Sequence, residues 1–154
     1  MSAARRLATG FARPEESTGL LLWQVTNRWQ AAQRAALKPF GLTHVQFVLL
    51  ASLAWLGADG PVTQQQLAGH AGTDPMMTSQ VVRALEARLL LARSTHDTDR
   101  RARALSITDR GSRLVNRAVV AVEACDRDFF APLGGGRPGF TRSLAVLGRP
   151  GADV

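Results

Sequence analysis

The chain is almost without cysteine and almost without lysine. One cysteine, Cys125, stands in 154 residues, which excludes an internal disulfide framework and a cysteine-rich zinc site. No apolar run approaches the ~20 residues that a membrane span needs. The opening stretch MSAARRLATGFARPEES lacks an apolar segment long enough for a secretory signal. A cytoplasmic protein with no membrane partner is therefore expected. Catalytic signatures are missing as well. His44, His70 and His96 are scattered over different predicted elements, and HExxH, CxxC, nucleophile-elbow and phosphate-loop patterns are absent. Gly134–Gly136 lacks the strand and the Lys of a phosphate cradle. No enzymatic activity, cofactor or metal is expected.

What the chain has is arginine and enough apolar residues for a core. Hydrophobic residues make up 45% of it, as in an ordinary globular protein. The formal net charge is +7, which favours an anionic partner. Lys38 is the one exception among nineteen basic residues; the others are Arg. Guanidinium forks take phosphate or guanine two-handed, which an ammonium cannot. A genome rich in Arg codons would give the same ratio, so the placement of the arginines carries more than their number.

The chain is organised around residues 73–107. Asp74 is a good helix cap and Pro75 suits the first helical position. Thr78, Val81, Val82, Leu85 and Leu89 then fall on one helical stripe, while Met76, Ser79, Gln80 and Arg83 fall on another side. The spacing predicts a helix over 74–91 that offers polar groups and a cation outward. Two strand-like runs follow, LARST and RALSI, around HDTDRRA. They predict a hairpin with a basic tip. Thr63-Gln64-Gln65-Gln66 is a capping box for a shorter helix upstream, and Gly69, Gly72 and Thr73 supply the turn between the two helices. Two helices joined by a short Gly-containing turn, followed by a basic hairpin, make a winged helix-turn-helix.

The remaining elements flank this head. Ser17 or Thr18 caps a helix to about Lys38, whose Leu20, Leu21 and Trp23 widen its apolar stripe beyond one face. Such a helix packs on more than its own domain, which predicts a partner subunit. Thr43-His44-Val45-Gln46 is another capping box, opening a mostly buried helix to about Gly57. Thr108 caps a helix of ~20 residues with Leu114, Ala118, Val122, Cys125 and Phe129 as its stripe. Gly134–Gly136 and Pro138 break the chain before a short end helix over 140–147. The expected fold is mainly α with a small β-hairpin wing. Residues 1–40 form an N-terminal arm and dimerisation helix, 41–108 a winged helix-turn-helix lobe, and 109–154 a long helix and C-terminal dimerisation region.

In order and spacing, LTHVQFVLL, TQQQLAGHAG, RALEARLLLAR, DTDRRARALSIT and DRGSRL resemble the MarR family of bacterial transcription regulators, over about residues 18–130. The most specific part is the Asp-x-Arg wing motif Asp99-Arg100-Arg101, followed by the Leu-Ser-Ile-Thr strand and Gly111. The pattern departs at Leu89, where the family commonly has Gly. Leu there is expected to lengthen the helix or alter the approach to the strand. The resemblance implies a homodimer on a pseudo-palindromic operator in double-stranded DNA, usually a repressor released by a small aromatic effector. A winged-helix protein-interaction module without specific DNA binding is the alternative.

On this reading the helix enters the major groove and the wing, 96–103, lies at the minor groove. Ser79 takes a phosphate or a base edge, Gln80 pairs with adenine, and Arg83 with guanine or phosphate. Met76 touches a thymine methyl or fills core, and Met77 is expected to fill core. Arg100, Arg101 and Arg103 approach the minor groove or its phosphates, with Asp99 implied to fix Arg101. Arg93 reaches a phosphate or pairs with Asp97 or Asp99, and Thr63 and Gln64 position a backbone contact. The resemblance places an effector cavity between dimer helices and head. Trp23, Asn27, Trp29, His44 and Phe47 come from the elements lining it, although interface packing explains the tryptophans equally well. Asp126 and Asp128 near Glu123 are expected on a solvated helix face, and Cys125 as a buried, inert thiol.

Overall fold

The computed structural model describes residues 7–95 and 103–149. Six helices and a three-stranded antiparallel sheet make up the described part. Helix α1 spans Thr18–Leu37, α2 His44–Leu56, α3 Gln64–Ala71, α4 Pro75–Ala87, α5 Asp109–Phe130 and α6 Arg137–Leu147. Each start from α1 to α5 has a side-chain cap. Ser17 accepts from the Leu20 amide, Thr43 from Gln46, Thr63 from Gln66, Asp74 from Met77 and Thr108 from Gly111. At α2 and α3 the glutamine returns a bond to the cap amide, closing both capping boxes. These bonds satisfy N–H groups that a helix leaves without partners.

Strands β1 (Val62–Thr63), β2 (Leu91–Thr95) and β3 (Arg103–Ile107) lie in the order β1-β3-β2. The hairpin register pairs Leu91 with Ile107 and Thr95 with Arg103. The sequence foresaw β2 and β3 at these bounds. It missed β1, which is two residues long and pairs Val62 with Leu105.

Leu37, Leu49, Leu50, Leu53, Leu67, Val82, Leu85, Leu90, Leu91 and Leu105 form a core between α2, α4 and the sheet, with Val115, Ala118 and Val122 of α5 closing it. Each such buried side chain contributes about 1.5–3 kcal/mol relative to exposure. Helix α1 packs on α5 and α2. No single described helix is long and apolar enough to cross a membrane.

Three expectations are corrected. Helix α4 ends at Ala87 rather than 91, because Leu89 takes the left-handed conformation at φ 59°. The Leu90 amide bonds back to the Leu85 carbonyl and the Leu89 amide to that of Glu86, a closure usually built on glycine. Leu89 accordingly leaves the buried stripe and is 66% exposed. On α5 Ala118 and Val122 are buried as expected, but Gly111 and Val115 complete the buried line, and Leu114, Cys125 and Phe129 are only half-buried. At the C-terminal end a 3-10 segment, Ala131–Gly136, links α5 to α6, and Pro138 lies in the first turn of α6 instead of outside it.

Candidate nucleic-acid interface

Helices α3 and α4 are joined by Gly72, Thr73 and Asp74, with Gly72 at φ 70°. The turn is fixed by hydroxyls. Thr78 Oγ1 donates to the Asp74 carbonyl at 2.8 Å and lies 2.7 Å from Thr73 Oγ1. Thr78, Val82 and Leu85 bury one face of α4. The opposite side presents Met76, 73% exposed, with Gln80 and Arg83 exposed and Ser79 half-buried. These four groups can reach a partner laid along the N-terminal half of the helix. Met77 also departs from its expected place, being 44% exposed and not core.

Thr63 is engaged as the cap of α3, donating its amide to Gln66 Oε1 at 2.9 Å, and the half-buried Gln64 begins that helix beside it. Arg93 pairs with Glu86 of α4, Nε to Oε2 at 3.0 Å; the expected alternatives Asp97 and Asp99 are not among the described residues. Among the wing residues, Arg103 opposes Thr95 in the sheet. Asp97, Asp99, Arg100 and Arg101 lie outside the described residues.

Of the residues expected to line an effector cavity, Trp29 and His44 come together within the chain. Trp23 is 68% exposed and Asn27 exposed on α1, whereas Phe47 is in the core. Trp29 lies roughly 120° around the helix from Trp23 and is tied down. Its Nε1 donates to Asp126 Oδ1 at 2.8 Å, and Gln33 Nε2 donates to the same oxygen at 2.7 Å. Gln33 is fully buried and its Oε1 has no partner among the described residues. The Trp29 ring meets His44 edge-on, centroids 5.0 Å apart. Burial pushes the His44 pKa below its ordinary value of 6.5, Asp126 opposes that shift, and Arg34 adds to it. Asp126 thus belongs to the α1–α5 interface, not to a solvated acidic face. Its role was hidden in the sequence. The one available signal was that Trp29 and Gln33 share a face at i and i+4. Nearby, burial and then Asp126 and Asp128 raise the Cys125 pKa, which disfavours the reactive thiolate.

A family model described as "MarR family" matches residues 42–102. The chain is 46% identical over 122 residues to an uncharacterized HTH-type transcriptional regulator YdcH of Bacillus subtilis, covering 79% of this chain and 83% of that one. It is 33% identical over 115 residues to the HTH-type transcriptional repressor Rv2887 of Mycobacterium tuberculosis, covering 75% and 81%. Among solved structures, CouR from Rhodococcus jostii RHA1 bound to p-coumaroyl-CoA superposes with a TM-score of 0.81 at 28% identity, covering 94% of this chain and all of that one. CouR bound to a 23-mer DNA duplex gives 0.80 at 27% identity, covering 88% and 94%.

Proposed function

The chain belongs to the MarR family of transcription regulators, and from that premise we propose that it is a homodimeric, cytoplasmic repressor of a pseudo-palindromic operator. One observation carries the reading. Helix α4 buries Thr78, Val82 and Leu85 and turns Met76, Gln80 and Arg83 outward, beside a hairpin whose turn sequence is rich in arginine. In this role Gln80 reads adenine, Arg83 reads guanine or a phosphate, and Ser79 and Met76 make flanking contacts. Arg100, Arg101 and Arg103 follow the minor groove with Asp99 holding the wing turn, and Thr63 and Gln64 set the backbone register. The relative named a repressor and the neighbour bound to duplex DNA support this assignment.

Residues 1–40 and 109–154 serve as the dimerisation region, with 41–108 as the DNA-binding lobe. Leu20, Leu21, Leu22, Trp23 and Val25 of α1 are exposed, and α6 buries no residue within its own chain. Those apolar faces suit a second copy. A small aromatic effector, as in the neighbour bound to a coumaroyl thioester, fits the region around Trp23, Asn27, His44 and Phe47 once a partner helix completes it.

The test is a gel shift with the intergenic DNA upstream of its own gene. A specific complex is expected, with a Kd on the order of 10⁻⁸–10⁻¹¹ M and a log–log salt slope of roughly −0.9 per phosphate contacted. Binding no stronger than to random duplex would overturn the reading in favour of a protein-interaction module.

A further inference from the structure

A cleft at the far end of α4 carries charge that the operator reading does not use. Arg110, Arg113 and Arg117 lie on one face of α5, at i, i+3 and i+7. Facing them is Arg88, at the C-terminal cap of α4. With Phe40 and Leu90 these four arginines line a cleft of about 310 Å³. Two of the four are already held. The Arg88 guanidinium donates to the Gly41 carbonyl at 2.8 Å, and that of Arg117 sits over the Phe40 ring, 5.8 Å from its centroid.

The arrangement is electrostatically unfavourable as it stands. Among the described residues the ion pairs are Arg13–Glu16 and Arg93–Glu86, so none of the four has a carboxylate partner there. Arg110 and Arg113 also fall in the first turns of α5, where the helix end is itself positive and favours anions. Clustered like charges at the wrong end of a helix break two local rules at once, and sequences keep such breaks where a site requires them.

We propose that this cleft binds a small polyanion carrying at least two phosphate-type groups. A monoanion would neutralise one guanidinium of four. Paired phosphates match the forks two-handed, and the apolar wall is small beside the four charges. Duplex DNA is the competing occupant, and the geometry disfavours it. Arg88 lies roughly 80° around the helix from Gln80 and roughly 140° from Arg83, and it turns toward Gly41 instead of along the Met76–Arg83 face. A polyanion seated here would tie the C-terminal end of the recognition helix to α5. A chain that failed to bind any operator would still bind it.

The experiment is calorimetric titration of the full chain, free of DNA, with inorganic tripolyphosphate. One saturable site per chain is expected. Arg113→Gln with Arg117→Gln should weaken it by on the order of tenfold or more, since each charge-assisted bond is worth that much. Arg142→Gln with Arg149→Gln removes equal charge elsewhere and should leave it nearly unchanged. Both pairs are exposed, and an unaltered melting temperature without ligand checks their folding. Tripolyphosphate should raise Tm in the parent chain and not in the cleft variant. Equal weakening in both variants, or no saturable binding, overturns the proposal. So does a duplex-binding salt slope about two contacts smaller in the cleft variant, which would assign these arginines to the DNA backbone.

Discussion

Arg93 Nε lies 3.0 Å from Glu86 Oε2, and this pair joins the first wing strand to the recognition helix. Neither atom is accessible to solvent, and neither makes a well-aligned hydrogen bond, so the contact is chiefly coulombic. The Glu86 side chain is 44% exposed, and solvent screening holds the pair to about 1 kcal/mol or less. Its consequence is geometric, because it ties together two elements that, in the proposed reading, reach adjacent grooves.

Arg83 and Arg93 should therefore fail differently. Arg83→Gln removes the proposed groove contact and should cost about 1–3 kcal/mol of operator affinity. If its partner is a base, preference at that base relaxes; if a phosphate, the salt slope falls by about one contact. Arg93→Gln should weaken binding while leaving both slope and preference unchanged. Fluorescence anisotropy over a salt series separates the two. A reduced slope in Arg93→Gln would show that this side chain holds a phosphate.

Leu89 holds the left-handed conformation that ends α4, yet is 66% exposed, so its side chain returns little burial. A non-glycine residue there costs about 1–2 kcal/mol, and glycine's extra chain entropy costs about 0.5–1 kcal/mol. Leu89→Gly should accordingly stabilise by about 0.5–1 kcal/mol, raising Tm by roughly 1–4 °C in a scanning calorimeter. A lower Tm would mean that Leu89 packs against something in the assembly.

Gly111 makes the opposite case. A β-carbon there would come within 2.0 Å of the Leu90 carbonyl oxygen and 2.9 Å of its carbon. Both obstacles are backbone, so no rotamer change relieves them. Gly111 lies in the first turn of α5, where alanine would otherwise be preferred by at most the mid-helix value of about 0.5–1 kcal/mol. The clash outweighs that, and Gly111→Ala should destabilise by about 1–3 kcal/mol or more. Urea unfolding would check it, and a midpoint equal to or above the parent's would contradict the close approach of α5 to the wing hinge.

What was legible in the sequence is local. The caps Thr43, Thr63, Asp74 and Thr108, the start of α1 to within Ser17 or Thr18, and the strands 91–95 and 103–107 could be read because their signals lie within a few residues of where they act. The outward faces of Gln80 and Arg83 followed from helical spacing. Leu89 did not, because periodicity says nothing of backbone handedness. The bonds from Trp29 and Gln33 to Asp126 span 97 and 93 residues, and no pattern in the chain points from α1 to that carboxylate. The four-arginine cleft was missed for the same reason. Arg110, Arg113 and Arg117 are visible together, but Arg88 and Phe40 join them only through tertiary packing, in which α2 contacts both α4 and α5.

His44 gives the pH dependence. It is the first residue of α2, where the positive helix end disfavours an imidazolium, and burial lowers its pKa further against the pull of Asp126. The folded chain thus binds a proton at His44 less readily than the unfolded one, whose value is 6.5. Between the folded value and 6.5 the unfolded state holds more protons, so stability rises with pH across that window. Its contribution is complete above the unfolded value and lost as pH falls below it, becoming constant again below the folded value. Comparing denaturation midpoints of the parent and His44→Gln from pH 7.5 downward isolates this from the carboxylates, which titrate in both. The difference should grow between about pH 7 and the folded value. Asp126→Asn should lower the His44 midpoint further, because it removes a charge that favours the proton. NMR titration of the His44 ring reads that midpoint directly. A value at or above 6.5 in the parent, or a rise in Asp126→Asn, would mean that the imidazole is solvated and that Trp29, Gln33 and Asp126 close around something else.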